Sequence, residues 1–279
     1  MTVAPEPEFG PPSAPEESGR PSVVGAVADI RAEAERLSAA AVGGELPARI
    51  MGGLAVWLLS SSARIVPYAR HYRDIDLVAP GRDRKAVSTF LEASGYVGDR
   101  LFNALHGAQR MVFSEPGGRW SIDVIFDELR MSHRIDLRGR LAGPRGTLDL
   151  ADLLLTKLQV WEINEKDLGD LLCLLADHPL AAPRPNGGGV VDPDGVDVAR
   201  LCLITGADWG LCHTVERNLP RVADLWARQP APGARYDAAE QVAQLLAQID
   251  AAPKSLGWRT RARIGERVRW YETPEEIRR

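Results

Sequence analysis

The sequence has few cysteines, no long apolar run and no excess of charge of one sign. Its 279 residues include only three cysteines, an odd number without C-x-x-C spacing, which is typical of buried thiols in a reducing compartment. No run of 18 apolar residues occurs, so no membrane span is expected. The formal charge of -4 argues against bulk coating of nucleic acid. Together these absences predict a cytoplasmic protein.

Several catalytic signatures are also missing. The five histidines show no H-x-H or H-E-x-x-H spacing, so a histidine-based zinc site is not expected. G-x-S-x-G, Walker A and G-x-G-x-x-G are absent, which removes the α/β-hydrolase, P-loop and dinucleotide-binding interpretations as defaults. The composition, 45% hydrophobic and 26% charged, is that of an ordinary globular protein.

Composition divides the chain into four parts. Residues 1–22 are acidic and Pro-rich and have too little apolar surface to offset the entropy of ordering, so a disordered tail without a signal peptide is expected. Residues 23–178 mix helical and strand patterns. Residues 179–197 are rich in Pro and Gly and are predicted to be a linker. Residues 198–279 are predicted to be mostly helical, with breaks at Pro220 and at 230–233.

The second part has the periodicities of an α+β fold, in which helices flank a small mixed sheet. Apolar residues recur at helical spacing in some segments and alternate with polar residues in others. A glycine pair, Gly52-Gly53, joins the first predicted strand to a short helix. We predict helices at 23–41, 84–93, 147–162 and 165–176 and strands at 48–51, 74–78, 109–114 and 119–126.

Three aspartates are the candidate metal ligands and catalytic residues. Asp74 and Asp76 are two residues apart on a predicted strand, so they project from one face, and close carboxylates repel unless a cation lies between them. Asp123 lies on a later strand that could bring it beside them. Hard oxygen ligands without His or Cys favour Mg²⁺ or Mn²⁺, and Mg²⁺ usually keeps substrate phosphates in its shell. The implied substrate is a nucleotide.

Two further features suit a phosphate group. Gly52-Gly53 at the start of a helix would let the backbone approach a phosphate and offer free amide donors. Lys157 falls inside the apolar stripe of its predicted helix, where an ammonium needs a partner. The alternative is that Lys157 extends to solvent at the edge of the stripe.

The order of these motifs, Gly52-Gly53 followed by Asp74-Ile75-Asp76 and then Asp123, resembles the motif order of the nucleotidyltransferase superfamily with the DNA-polymerase-β-like fold. The resemblance covers roughly residues 25–178. The segments 152–157 and 165–171 are similar to the Lys and Asp motifs of abortive-infection type nucleotidyltransferases, many of which are toxins of toxin–antitoxin pairs. One departure is the 20-residue gap between Gly53 and Asp74, which is longer than in the family.

The resemblance implies a site, a reaction and partners. It makes residues 23–178 a nucleotidyltransferase catalytic domain in which Lys157 contacts nucleotide phosphates and one of Asp167 or Asp170 completes the nucleotide site. The implied reaction is Mg²⁺-dependent transfer of a nucleoside monophosphate from ATP or another NTP to a tRNA end or a protein side chain. A toxin of this kind would also have an antitoxin partner.

Two alternatives stay open. One is a small hydroxylated acceptor, as in aminoglycoside nucleotidyltransferases, which an acidic pocket would favour because aminoglycosides are polycations. The other is a nucleotide-binding protein of the same fold without turnover.

Several arginines are weaker candidates. Arg73 and Arg110 could reach a triphosphate, but a surface position is favoured for both. Arg259, Arg263 and Arg267 have the spacing of one helix face, available to phosphates or simply solvated. In the solvated case Trp258 and Trp270 would pack on the core.

Overall fold

The computed structural model describes residues 29–181 and 194–273. The predicted tail at 1–22 and the central part of the predicted linker lie outside these ranges. Within them, no helix is both long enough and apolar enough to cross a membrane.

A five-stranded mixed sheet forms the centre of the first half of the chain, as predicted for an α+β fold. Its alternating sequences bury residues such as Ile75 and Leu77 while Asp74 and Asp76 lie on the opposite face. The second and fifth strands are parallel, and the other neighbours are antiparallel. The spatial order is β1 (Arg49–Met51), β2 (Asp74–Ala79), β5 (Ser121–Phe126), β4 (Arg110–Ser114) and β3 (Val97–Gly98).

Six helices and a hairpin accompany this sheet in residues 29–181. Helix starts are fixed by capping side chains: Asn164 accepts from the backbone N–H of Asp167, and Asp149 accepts from that of Asp152. The hairpin consists of β6 (Glu128–Arg130) and β7 (Arg134–Asp136). The helices are α1 (Ile30–Val42), α2 (Gly52–Leu59), α3 (Arg84–Ala93), α4 (Arg100–His106), α5 (Leu150–Leu158) and α6 (Glu165–Asp177).

The C-terminal region is mostly helical, as predicted. The described ends of the predicted linker pair as two short parallel strands, β8 (Leu180–Ala181) and β9 (Val196–Asp197). Residues 194–273 contain four α-helices: α7 (Val198–Ala207), α8 (Trp209–Arg228), α9 (Ala238–Ala251) and α10 (Leu256–Ile264). Helix α8 packs against α6, and α7 packs against α5, so one hydrophobic core extends through both halves.

Two predictions in this region are wrong. Pro220 does not break a helix but lies inside α8 on its exposed side. Because proline has no N–H, one carbonyl of the preceding turn lacks its helical partner, and on the exposed side water can bond it. The buried side chains of Leu219 and Val222 hold the helix to the core. The face predicted to carry Arg267 is interrupted, because α10 ends before Gly265, whose φ is +59°.

The three cysteines are free, as the sequence predicts. Cys173 and Cys212 are buried, and burial raises the pKa of each thiol to about 12. These two thiols are therefore packing groups and not nucleophiles.

Candidate active site

Gly52 lies in direct contact with one of the predicted metal ligands. Strand β1 pairs with β2 so that Met51 is opposite Asp76, and Gly52 turns the chain into α2 with φ of +69°. A Cβ built on Gly52 would lie 2.1 Å from Oδ2 of Asp76. Both the left-handed backbone and this close approach require glycine. The amino-terminal end of α2 is thereby brought against the Asp76 carboxylate.

The three predicted aspartates converge on one part of the sheet. Asp76 of β2 is the register partner of Asp123 in the parallel strand β5, and Asp74 lies two residues earlier at the exposed start of β2. Burial, with repulsion from Asp74 and Asp123, raises the pKa of Asp76 to about 7, although Lys157 and Arg110 act in the opposite direction. The three carboxylates therefore repel one another, and Lys157 and Arg110 offset this repulsion only in part.

Asp123 is held by a guanidinium group. Nε of Arg110 donates to both oxygens of Asp123, at 2.7 and 3.0 Å, and its Nη2 also donates to Oδ2. The surface interpretation of Arg110 is therefore wrong, because this half-buried side chain faces the site. Arg73 is exposed, as favoured from the sequence.

Lys157 is buried and paired with both candidate aspartates of α6. Its side chain is only 7% exposed, and its Nζ lies 2.8 Å from Oδ1 of Asp167 and 2.7 Å from Oδ2 of Asp170. Burial lowers the pKa of Lys157, but the charges of Asp170 and Asp167 outweigh it and raise that pKa above its usual value. The alternative that Lys157 extends to solvent is therefore wrong.

A cleft of about 1120 Å³ brings most of these residues together. Gly52, Asp76, Asp123, Lys157 and Asp167 line it, whereas Gly53, Asp74 and Asp170 do not. The lining includes six basic side chains, Arg110, Arg130, Arg134, Arg138, Lys157 and Arg269, and six acidic ones, Asp76, Asp123, Asp127, Glu128, Asp167 and Glu272.

The cleft is also lined by the β6–β7 hairpin and by the segment 268–273, which we call the C-terminal strap. Trp270 anchors the strap: its ring meets Trp161 edge-on at 4.7 Å, and its Nε1 donates to Thr214 at 3.3 Å. Tyr271 stacks on Trp161 at 4.8 Å between ring centroids. Sequence reasoning missed the strap because its partners, in the turn after α5 and in α8, are distant in sequence.

Carboxylate oxygens are suitable ligands for a hard cation, although these carboxylates do not surround a metal position on all sides. Among residues 29–181 and 194–273, no three Asp, Glu, His or Cys side chains are grouped closely enough to enclose a metal ion. Asp76 receives no hydrogen bond or salt bridge from any other described side chain, and a cation would relieve its repulsion with Asp74 and Asp123. Carboxylate oxygens are ligands that suit Mg²⁺, which tolerates few protein ligands when water and phosphate complete its shell.

Comparison with known proteins gives little. No protein-family model and no curated protein matches the chain. Among solved structures, the chain is similar to the antibiotic-resistance factor ANT(2'')-Ia, with 14% identity over 84% of this chain and 94% of that chain and a TM-score of 0.27. A likeness this weak carries no argument about the activity of this chain.

Proposed function

We propose that the protein is a Mg²⁺- or Mn²⁺-dependent nucleotidyltransferase, which transfers a nucleoside monophosphate from ATP or another NTP to an acceptor and releases pyrophosphate. The observation that carries the proposal is the convergence of Gly52, Asp76, Asp123 and Lys157 in one cleft. These residues come from four separate elements. They are also the residues on which the sequence resemblance depends.

Each residue has a defined role in the proposal. Asp74 and Asp76 would hold the divalent cation, with Asp123 as a third ligand once Arg110 turns away. The cation, when bound, neutralises charge on the phosphates. Asp123 would also orient the attacking hydroxyl and accept its proton, while the hydroxyl oxygen forms a bond to the α-phosphorus and the bond to the departing pyrophosphate breaks.

The triphosphate would lie between the start of α2 and the lysine. At Gly52 the backbone approaches the carboxylate closely, and the first amide groups of α2 have no partner within the helix, which suits a phosphate oxygen. Lys157 is already charged through Asp167 and Asp170, so it can donate to a phosphate without taking up a proton.

The β6–β7 hairpin and the C-terminal strap favour an acceptor that carries phosphates, such as a tRNA end, with a protein side chain as the other acceptor class. An acidic pocket would favour a polycationic aminoglycoside, but these two segments bring three arginines to the cleft, Arg130, Arg134 and Arg269, against the two carboxylates of Glu128 and Glu272. Arg130 and Arg134 both pair with Glu128. Cations that outnumber their acidic partners suit phosphate groups.

A cytoplasmic location and an antitoxin partner complete the proposal. The location is supported by three free thiols in the described chain, which a reducing compartment would maintain. The antitoxin is supported only by the resemblance of the sequence to toxin-type nucleotidyltransferases.

The deciding experiment is transfer of label from each α-labelled NTP, with Mg²⁺, to total cellular RNA, to the protein itself and to a panel of aminoglycosides. We expect label on RNA that disappears in Asp74→Ala/Asp76→Ala. The matched control is Asp224→Ala, which changes an exposed aspartate of α8.

Label on an aminoglycoside would establish the small-acceptor alternative. Mg²⁺-independent NTP binding without label transfer or pyrophosphate release would instead support the non-catalytic alternative.

A further inference from the structure

We infer that Arg70 is a positioning residue that keeps Lys157 available to the nucleotide phosphates. The inference rests on the proposed function and adds a residue to it. Arg70 lies four residues before Asp74, in the long segment that separates the glycine pair from β2. Arg70 lies outside the sequence motifs described above.

The contacts of Arg70 fix its guanidinium from several sides. Its Nη2 lies 2.7 Å from Oδ2 of Asp170, and its Nη1 donates to the carbonyl of Lys166 at 3.1 Å. The ring of Tyr72 lies beneath it, with the guanidinium carbon 5.2 Å from the ring centroid. A side chain held in this way is ordered before any ligand binds.

Gly53 makes room for this guanidinium. A Cβ on Gly53 would lie 2.3 Å from Nη2 of Arg70 and 3.0 Å from Cε1 of Tyr72. Gly53 does not line the cleft, and the position of Arg70 gives a physical reason for its lack of a side chain. The second glycine of the pair and Arg70 therefore belong to one arrangement.

The charges explain why Lys157 needs Arg70. Asp170 is only 5% exposed, and the same oxygen, Oδ2, accepts from both Lys157 and Arg70. A buried carboxylate that loses one cation binds the remaining one more strongly, because it cannot be left unpaired. With Arg70 in place, Lys157 can turn toward a phosphate while Asp170 stays neutralised. Without Arg70, Asp170 would hold Lys157 back.

The test is steady-state kinetics of label transfer by Arg70 variants of the full chain. We expect Arg70→Ala to raise KM for the NTP about 10- to 100-fold, the range for losing a charged hydrogen bond, with a smaller effect on kcat. Arg70→Lys keeps the charge but lacks the forked guanidinium that reaches both Asp170 and the Lys166 carbonyl, and it should recover part of the loss. Arg73→Ala, in the same segment but exposed, is the matched control.

A double variant separates positioning from a general structural role. In Arg70→Ala/Asp170→Asn the carboxylate that would hold Lys157 back is gone, so KM should return toward the wild-type value. A structural role predicts instead that the double variant is at least as impaired as Arg70→Ala. Thermal melts establish which variants are folded, and Arg70→Lys carries the test if Arg70→Ala does not fold.

The outcomes distinguish the two proposals. Wild-type protein that neither binds Mg²⁺-NTP nor transfers label would overturn the proposed function, and this inference with it. Active wild-type protein with KM unchanged in Arg70→Ala, or a double variant without recovery, would overturn this inference alone.

Discussion

At the residue scale, two glycines with nearly the same positive φ separate the effect of a contact from that of backbone strain. Gly52 and Gly118 have φ of +69° and +68°, but a Cβ on Gly118 would meet nothing within 4 Å. We expect Gly118→Ala to lower the free energy of unfolding by about 1–2 kcal/mol and to leave label transfer intact. Gly52→Ala should lower it further and abolish transfer, because the new methyl group displaces the Asp76 carboxylate.

Urea unfolding and label transfer on the two variants check this prediction. Full activity in Gly52→Ala would show that the Asp76 carboxylate can move without loss of function.

The raised pKa of Asp76 predicts a cost to stability at neutral pH. The carboxyl has a pKa of about 7 in the folded protein and near 4 in an unfolded chain, so its stabilising contribution is largest below pH 4 and is lost as pH rises through 7. Asn carries no charge at any pH. In EDTA, Asp76→Asn should therefore raise Tm relative to wild type at pH 8, and by much less at pH 5.

Thermal melts at the two pH values, with Asp224→Asn as the surface control, measure the difference. Each kcal/mol regained corresponds to roughly 2–4 °C in Tm. The same gain at both pH values would contradict a titrating Asp76.

The sequence predicted residues that are marked by local spacing or by a family motif, and it missed residues whose roles depend only on distant partners. Asp74 and Asp76 share a face because side chains alternate along any strand. The pairing of Arg110 with Asp123 depends on the register of β4 and β5, and Arg70 meets a carboxylate 100 residues later in the chain. Spacing carries no information on such contacts.

At the element scale, the C-terminal strap is expected to act on the acceptor and not on the nucleotide. Trp270→Ala removes the ring that contacts Trp161, and aromatic pairs of this kind contribute about 0.5–1.5 kcal/mol. We expect KM for the acceptor to rise roughly three- to tenfold and KM for the NTP to stay near the wild-type value. Equal changes in both constants would show that the strap supports the whole cleft.

Trp226→Ala is the matched control for this kinetic comparison. Trp226 is a half-buried tryptophan of α8 that packs on the core outside the lining of the cleft.

Short elements escaped the sequence analysis for a physical reason. Helix α4 has seven residues and buries none of them, so it has no apolar periodicity to detect. It is held instead by polar groups: Asp99 caps it, and the Asn103 side chain bonds both the N–H and the carbonyl of Val112. Helices α3 and α6, which have buried faces, were predicted to within a residue at either end, whereas the helix predicted at 147–162 spans only Leu150–Leu158.

At the scale of the whole molecule, composition predicted the order of the parts but not how they pack. The α+β sheet region and the helical C-terminal region are both confirmed. The continuous core beneath them was not foreseen, because the apolar face of α6 looks the same in sequence whether it meets a sheet or α8. The predicted boundary at 179–197 stays a prediction.

The equal numbers of acidic and basic groups that line the cleft bear on how fast a ligand arrives. With six formal charges of each sign, the cleft has little net field beyond the Debye length of about 8 Å at physiological ionic strength. Long-range steering of a charged ligand is then weak, and the association rate depends little on added salt. Selection takes place only after contact, when individual ion pairs exchange partners with the ligand.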